Sequence, residues 1–487
     1  MSNSEIKQFF KNQTIFITGG TGFLGKLIIE KLLRECWDLK KILVLVRPKK
    51  GKTPQERLNE ILERPCFHHI KNKNVWEKIC LLEGDCDKPF LGLTDKDIEV
   101  LKNETTCIIH AAIRVKFYQS LRELSWHVRA TRDLVEFAKD MKNFKGFVYI
   151  SSQGACCLRN HIKEIVYPPP IKPETLLSLV ETCDDSVLEK ITPGLLHGWY
   201  DSYCYIKSIT EDLVKTSGDL IPTTIIRPSN ISSTLQEPIE GWNDTSLAAV
   251  SVIKGMCMGL VRTLNVYPEI PVHTVPADYV VNFTLAAAWK TAQNSFNTTM
   301  VYNCTGEGLS CEKLLEYLET FYFEFPSMKY LWFASVTFRR SKFWHQVWLT
   351  FYTFIVYVFD FVFLCTGNPT NYATLYKNAY RQIDVLTNFC RRRVQCDTTN
   401  VRTLWKNMSQ DDKTLFEFHT EKIYTYDAVK TMFLGMRLYL LNDPIETVPA
   451  ARKRLRKLYI YSLVTLVTAS EEPKPGKKHN NVKNLCC

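Results

Sequence analysis

The chain has 487 residues, of which 45% are hydrophobic and 23% charged, a balance that excludes a disordered polymer and allows two domains with sizeable cores. The formal net charge of +11 favours polyanionic partners. No stretch resembles a nucleic-acid module, which leaves an anionic membrane or a phosphate-bearing substrate. Seventeen cysteines are scattered without metal-ligand spacing, so reduced thiols facing the cytosol are expected rather than a disulfide framework. Residues 1–11 are polar and lack a signal-peptide core.

Thr14–Thr18 is an apolar, β-branched run that ends in a glycine-rich turn, and apolar residues then recur at helical spacing over 24–33. Strand, turn and helix form the setting in which glycines bind a dinucleotide. Gly19 allows the sharp turn, Gly22 lets the backbone approach a pyrophosphate, and Gly25 lets helix and strand pack closely. Gly19, Thr21, Gly22, Phe23, Leu24 and Gly25 are the candidate cofactor-binding stretch, with the pyrophosphate on the helix N-terminus.

Lys41–Val46 reads as a second buried strand, and Arg47 follows it with Lys49 and Lys50 close behind. NAD-preferring enzymes place an acid there, whereas a guanidinium grips a 2′-phosphate. NADPH is therefore expected over NADH; the alternative is a solvated basic loop end. A polar helix is expected over 57–64. A third strand begins at Ile79 and ends at Asp85, which could reach the adenine. A fourth, Cys107–His110, runs into Ala111 and Ala112, whose small side chains leave room for a cofactor across the strand end. A helix over 121–141, a fifth strand over 147–150 running into Ser151-Ser152, and a sixth over 223–228 complete the alternation. The expected fold is α/β, a doubly wound parallel sheet of Rossmann type.

The glycine spacing resembles the extended short-chain dehydrogenase/reductases, and that resemblance demands a Tyr-x-x-x-Lys further on. Tyr203 and Lys207 meet the demand, four residues apart on a predicted helix and so on one face. A phenol near pKa ~10 is a poor proton donor or acceptor at neutrality, and an adjacent ammonium is expected to lower that value. Lys207 could also hold the nicotinamide ribose. Ser152 is the residue expected beside the substrate carbonyl, with Ser151 as the fallback.

Thr18 to Gly25, Leu43 to Pro48, Glu83-Gly84-Asp85, Tyr203-x-x-x-Lys207, Ile226 to Ser229, Glu237 to Asp244 and Val275 to Asn282 together resemble the eukaryotic, insect-type fatty acyl-CoA reductases, relatives of the plant male-sterility proteins. The likeness runs from about residue 11 to 458. It implies a reductase domain followed by a smaller helical domain, and NADPH-dependent reduction of long-chain acyl-CoA to a primary alcohol. In that scheme Tyr203 and Ser152 would hydrogen-bond the reacting oxygen and Tyr203 would donate a proton. There are departures: Ser151-Ser152-Gln153-Gly154 replaces the family's Ser-Thr-Ala-Tyr-like segment, and His127 and Ala130 stand where asparagine and glycine are usual. His127 either substitutes in a proton relay or packs a helix. A hydroxysteroid or sugar-nucleotide dehydrogenase, or a catalytically weak cofactor-binding paralogue, are the rival readings.

The expected division is 11–300 for the NADP-binding reductase domain, 301–345 for a connecting segment, 346–450 for a helical domain, 451–470 for a membrane-proximal segment and 471–487 for a disordered tail. Residues 347–365 form an apolar run interrupted by Asp360, either a spanning or interfacial helix or a buried one. The basic cluster Arg452 to Lys457 before an apolar stretch suits an anionic leaflet. Cys486 and Cys487 are either lipidated or free thiols. These features together imply a membrane-associated enzyme of the endoplasmic reticulum, with peroxisome as the alternative, its catalytic domain facing the cytosol.

Overall fold

The computed structural model describes residues 3–467, apart from 50, 71–72, 114–118, 246–247, 294–297, 368–370, 421–422 and 424. The expected tail at 471–487, with Cys486 and Cys487, lies outside the described residues.

The chain divides into two compact units. The first comprises residues 1–239, 273–307 and 394–423; the second comprises 240–272, 308–393 and 424–487. The consecutive division expected from the sequence does not follow these units, because the chain passes between them repeatedly. Residues 394–423 belong to the first unit for a physical reason. Gln395–Cys396 pairs in parallel with His161–Ile162, and Phe418 packs edge-on against Phe283 at 4.9 Å.

The first unit is built on seven parallel strands: β1 (Thr14–Thr18), β2 (Lys41–Val46), β3 (Ile79–Glu83), β4 (Cys107–His110), β5 (Gly146–Ile150), β6 (Thr223–Pro228) and β7 (Met300–Cys304). Their order in the sheet is β7-β6-β5-β4-β1-β2-β3, so the winding reverses between β1 and β4. β1, β4, β5 and β6 are buried along their whole length, as parallel strands covered on both faces must be. Alternation assigns the faces. Phe16, Leu43, Ile108 and Phe147 pack with Trp126 and Leu134 of a helix over Leu121–Lys139, while Val44 faces Ile29 of a helix over Phe23–Glu35. In chain order we label the helices used below α1 (Phe23–Glu35), α2 (Pro54–Leu62), α3 (Leu121–Lys139) and α4 (Ser202–Ser217).

Two local differences from the sequence reading have simple causes. The expected connecting segment from 301 opens inside the sheet, because Val301 to Cys304 of β7 pairs with β6 in register; a five-residue strand containing an asparagine leaves little periodic signal. α2 starts before Arg57, because Thr53 and Glu56 form a capping box with Pro54 in the first turn.

The second unit is mainly helical: α5 (Cys311–Glu324), α6 (Lys342–Cys365), α7 (Tyr372–Phe389), α8 (Tyr426–Gly435) and α9 (Val448–Val467). Its core joins Leu318, Phe321, Tyr322, Tyr330, Tyr380, Phe433 and Leu455. At Gly241, φ is +69°, and a Cβ on Gly435 would lie 1.9 Å from the Gly241 oxygen, so the two backbones touch and neither position admits a side chain. α6 is one helix long and apolar enough to cross a membrane by length and composition. None of the fifteen cysteines among the described residues forms a disulfide, and no cluster of metal-ligating side chains occurs among these residues.

Candidate active site

The turn after β1 lies at the switch point, where open α/β sheets bind ligands. Gly19 has φ +75°, and a Cβ there would meet the Ala111 and Ala112 backbone at 2.7 Å, so the turn and the end of β4 are in contact. The Gly22 N–H donates to the Gly19 oxygen at 2.8 Å, and Gly22 opens α1. A Cβ on Gly25 would lie 2.2 Å from the Gly19 oxygen. Absence of side chains at 19 and 25 is thus required by space, which brings a helix N-terminus, a ready site for a pyrophosphate, to the sheet's carboxyl edge. Gly19, Thr21, Gly22, Phe23, Leu24, Gly25, Ala111 and Ala112 therefore form one locus.

Beside this turn, Arg47 donates to Asp85 at 3.2 Å and has Asp87 at 3.8 Å. The two residues expected to reach different parts of a nucleotide are instead paired with each other. Arg57 on α2 was missed from the sequence. Its guanidinium donates to the Arg47 carbonyl and reaches Thr21 Oγ1 at 3.5 Å, bridging the end of β2 to the glycine turn. Burial and the neighbouring Arg47 hold it below its ordinary value. Two guanidiniums and the Asp85 and Asp87 carboxylates thus stand beside the glycine turn. No local pattern in α2 singles out Arg57, because only the tertiary fold folds α2 back over Thr21.

The second locus lies at the end of β5. The Ser152 and Tyr203 hydroxyls are hydrogen-bonded to each other. Ser151, the fallback candidate, turns away and donates to Glu211 at 2.6 Å. Tyr203 lies in the first turn of α4, which Asp201 caps by accepting from the Cys204 N–H. One turn on, the Lys207 Nζ donates to the Ile150 carbonyl at 2.7 Å, sits 4.6 Å from the Tyr149 ring centroid and lies 3.5 Å from His127 Nε2. Burial pulls Lys207 down to about 7, opposed by Glu211, while it pushes Tyr203 above the usual phenol range. The expected acidification of the phenol is therefore not found. Desolvation outweighs it, and the ammonium is engaged elsewhere.

His127 is buried on α3. Its Nε2 lies 2.9 Å from the Tyr149 hydroxyl, and its ring stacks on His110 at 5.1 Å. Burial and nearby Lys207 hold His127 well below its ordinary value, and His110 is pushed down to about 3. Both rings are neutral at physiological pH. Glu211, a further turn along α4 from Lys207, pairs in two contacts with fully buried Arg227, at 2.9 and 2.6 Å. The spacing Tyr203, Lys207, Glu211 was the available signal for it. Asp278, in one of the stretches that carry the family likeness, accepts from the N–H groups of Leu235, Gln236 and Glu237 at 2.8–3.1 Å. Its contribution to the first unit is to hold that turn.

A family described as male sterility protein matches residues 17–284, and a second of the same description matches 351–443. Human fatty acyl-CoA reductase 1 is 32% identical over 93% of this chain and 89% of its own. The Drosophila melanogaster fatty acyl-CoA reductase wat is 29% identical over 95% and 91%. Among solved structures, the terminal reductase domain of a myxalamid biosynthetic pathway superposes with TM-score 0.59 at 19% identity, over 88% of this chain and 91% of that one. A reductase domain of a Mycobacterium tuberculosis nonribosomal peptide synthetase gives 0.58 at 17%, over 88% and 93%. These two likenesses show the fold. The first family match covers the glycine turn and the Tyr203–Lys207 helix, the human relative spans 93% of the chain, and the chain is an oxidoreductase that belongs to the fatty acyl-CoA reductase family.

Proposed function

We propose that the protein reduces long-chain fatty acyl-CoA to a primary fatty alcohol through an aldehyde, with NADPH as the electron donor. The observation that carries the reading is the hydrogen-bonded Ser152–Tyr203 hydroxyl pair, one helical turn from a buried lysine, in the same sheet unit as the glycine turn. Arg57 and Arg47 are the groups assigned to the 2′-phosphate, and Gly19 to Gly25 with Ala111 and Ala112 to the rest of the nucleotide. When bound, the reduced nicotinamide supplies the hydride for each of two reductions. Tyr203 and Ser152 donate hydrogen bonds to the substrate oxygen as charge builds on it, and Tyr203 gives up its proton there. A phenol held in its protonated form by burial suits that role. In the first reduction the carbon–sulfur bond then breaks and coenzyme A leaves as the thiol; in the second the aldehyde oxygen becomes the alcohol. Lys207, near neutrality in its titration, returns a proton toward Tyr203, and neutral His127 positions its ammonium. The net basic charge suits the phosphates of coenzyme A.

We assign the protein to the membrane of the endoplasmic reticulum, with its catalytic unit in the cytosol, because the product is apolar and α6 is long, apolar and exposed. The test is the purified chain with NADPH or NADH and a panel of acyl-CoA lengths, reading aldehyde, alcohol and free coenzyme A separately. Alcohol and coenzyme A should appear with NADPH. NADPH oxidation no faster in the wild type than in Tyr203→Phe would refute the catalytic reading.

A further inference from the structure

The sequence leaves α6 either spanning a membrane or buried. At 24 residues it measures roughly 36 Å, enough to cross a hydrocarbon core. Within the second unit, however, one side of it touches its neighbours at intervals from His345 to Phe359. His345 Nδ1 meets Thr263 Oγ1 at 3.1 Å, the Tyr352 ring lies 5.8 Å from the Arg262 guanidinium, and Phe359 packs on Trp332 at 6.1 Å. These contacts recur every seven residues over roughly 20 Å of helix, so they mark a single stripe.

The opposite stripe carries Phe343, Val347, Phe354, Val358, Phe361 and Cys365, all exposed, with Phe343, Phe354 and Phe361 at 68%, 64% and 65%, and past Tyr352 the contacted side is itself open at Phe359 and Phe363. Phenylalanine does not stand out to this extent along a whole helix face without a partner surface. α7 returns antiparallel beside α6. The Asp360 carboxylate accepts from the N–H groups of Tyr372 and Ala373 at 3.0 and 2.8 Å, and Lys377 donates to the Tyr357 hydroxyl at 2.7 Å. The charge that interrupts the apolar run is thus satisfied by the start of the next helix. α7 itself exposes Lys377, Asn378, Arg381 and Gln382, groups that would have to accompany α6 through a bilayer.

We infer that α6 lies in the plane of the membrane, with its Phe343–Phe354–Phe361 stripe embedded in one leaflet of an anionic phospholipid bilayer, and does not cross it. Charge selects this occupant over a second copy of the chain. Arg339, Arg340 and Lys342 enter the hairpin and Arg391, Arg392 and Arg393 leave it, so both ends of its base are basic even though Arg340 pairs with Glu269 at 2.9 Å. Two tryptophans, Trp344 and Trp348, stand near the same base, as in interfacial helices. Two copies would bring these cations together, whereas lipid phosphates neutralise them. The exposed, basic stretch of α9 at Arg452 and Lys453 adds to the same sign of charge in this unit.

This inference deepens the membrane assignment above, and vesicle binding is read without catalysis, so its failure is distinct from failure of the reductase reading. The full-length chain is mixed with phosphatidylcholine vesicles with and without phosphatidylserine. Binding should require phosphatidylserine and fall at least tenfold in Phe354→Glu/Phe361→Glu, a variant whose melting curve stays unchanged because both rings are exposed. With Cys486 and Cys487 changed to serine, Cys365 should be shielded from an impermeant maleimide outside the vesicles and be unreachable by the same reagent trapped inside. Labelling of Cys365 from the inside would show a crossing helix and overturn the inference. So would undiminished vesicle binding by the double variant, or a wild-type dimer that ignores vesicles and is dissolved by the same two substitutions.

Discussion

Replacing Glu211 by glutamine tests how far the active-site helix depends on one buried ion pair. The Glu211 side chain is 3% exposed and that of Arg227 is 0%. Two charge-assisted contacts join them, Ser151 donates to the same carboxylate, and the remaining Arg227 N–H groups reach the Lys163 and Ile165 carbonyls at 3.1 and 2.8 Å. Glutamine keeps the shape and one acceptor but turns an N–H toward the guanidinium and leaves its charge uncompensated. Breaking such a pair from one side costs about 3–5 kcal/mol, or roughly 10 °C in Tm for a unit of this size. Glu211 is also the group that opposes the burial-driven fall of Lys207, so the lysine should titrate below about 7 in the variant. Denaturant melts followed by circular dichroism measure the first effect, and the loss of kcat as Lys207 deprotonates, moved to lower pH, measures the second. The double replacement Glu211→Leu/Arg227→Met should recover most of the stability, since no charge is then left alone. A Glu211→Gln protein within about 1 kcal/mol of wild type, with an unmoved pH profile, would refute the reasoning.

Tyr203→Phe should lower kcat by ~10²–10⁴ with the NADPH dissociation constant unchanged, because a proton donor is lost and no nucleotide contact is; stopped-flow oxidation and fluorescence titration separate the two. Arg57→Ala should raise the KM for NADPH by about 10–100-fold and leave that for NADH where it is, and an equal effect on both would remove Arg57 from the 2′-phosphate. Gly25→Ala should weaken binding of either cofactor at least about tenfold, since its Cβ would stand 2.2 Å from the Gly19 oxygen and must push α1 off the turn. Lys207→Met tests linkage. An amine that titrates near 7 in the fold and at 10.5 otherwise binds fewer protons folded than unfolded in that window. Its cost, at most about 5 kcal/mol, is full below pH 7 and fades as pH rises to the ordinary value. Wild-type stability should therefore gain on that of Lys207→Met between pH 7 and 10, and parallel curves would show that the amine is not desolvated.

The glycine turn and the Tyr203–Lys207 pair were legible because each is a local device. A left-handed residue, a close backbone approach and one helical turn are all encoded within a dozen residues. Even there, the sequence could not weigh ammonium against burial, and the phenol's titration came out opposite to expectation. Arg57, His127 beside Lys207, and the Glu211–Arg227 pair were not legible, or not in their roles. Their partners stand many residues away on other strands and helices, and residue type alone does not reveal what a side chain will meet.

The residues by themselves determined the parallel sheet, the placing of a dinucleotide turn after β1, and the family, since apolar period and glycine spacing are properties of short stretches. Tertiary structure decided where the chain crosses between its two units, which serine meets Tyr203, and that α6 keeps most of its apolar surface bare. Those outcomes depend on which distant surfaces come together, and burial, which sets both the titration of Lys207 and the fate of an apolar helix, exists only once they have.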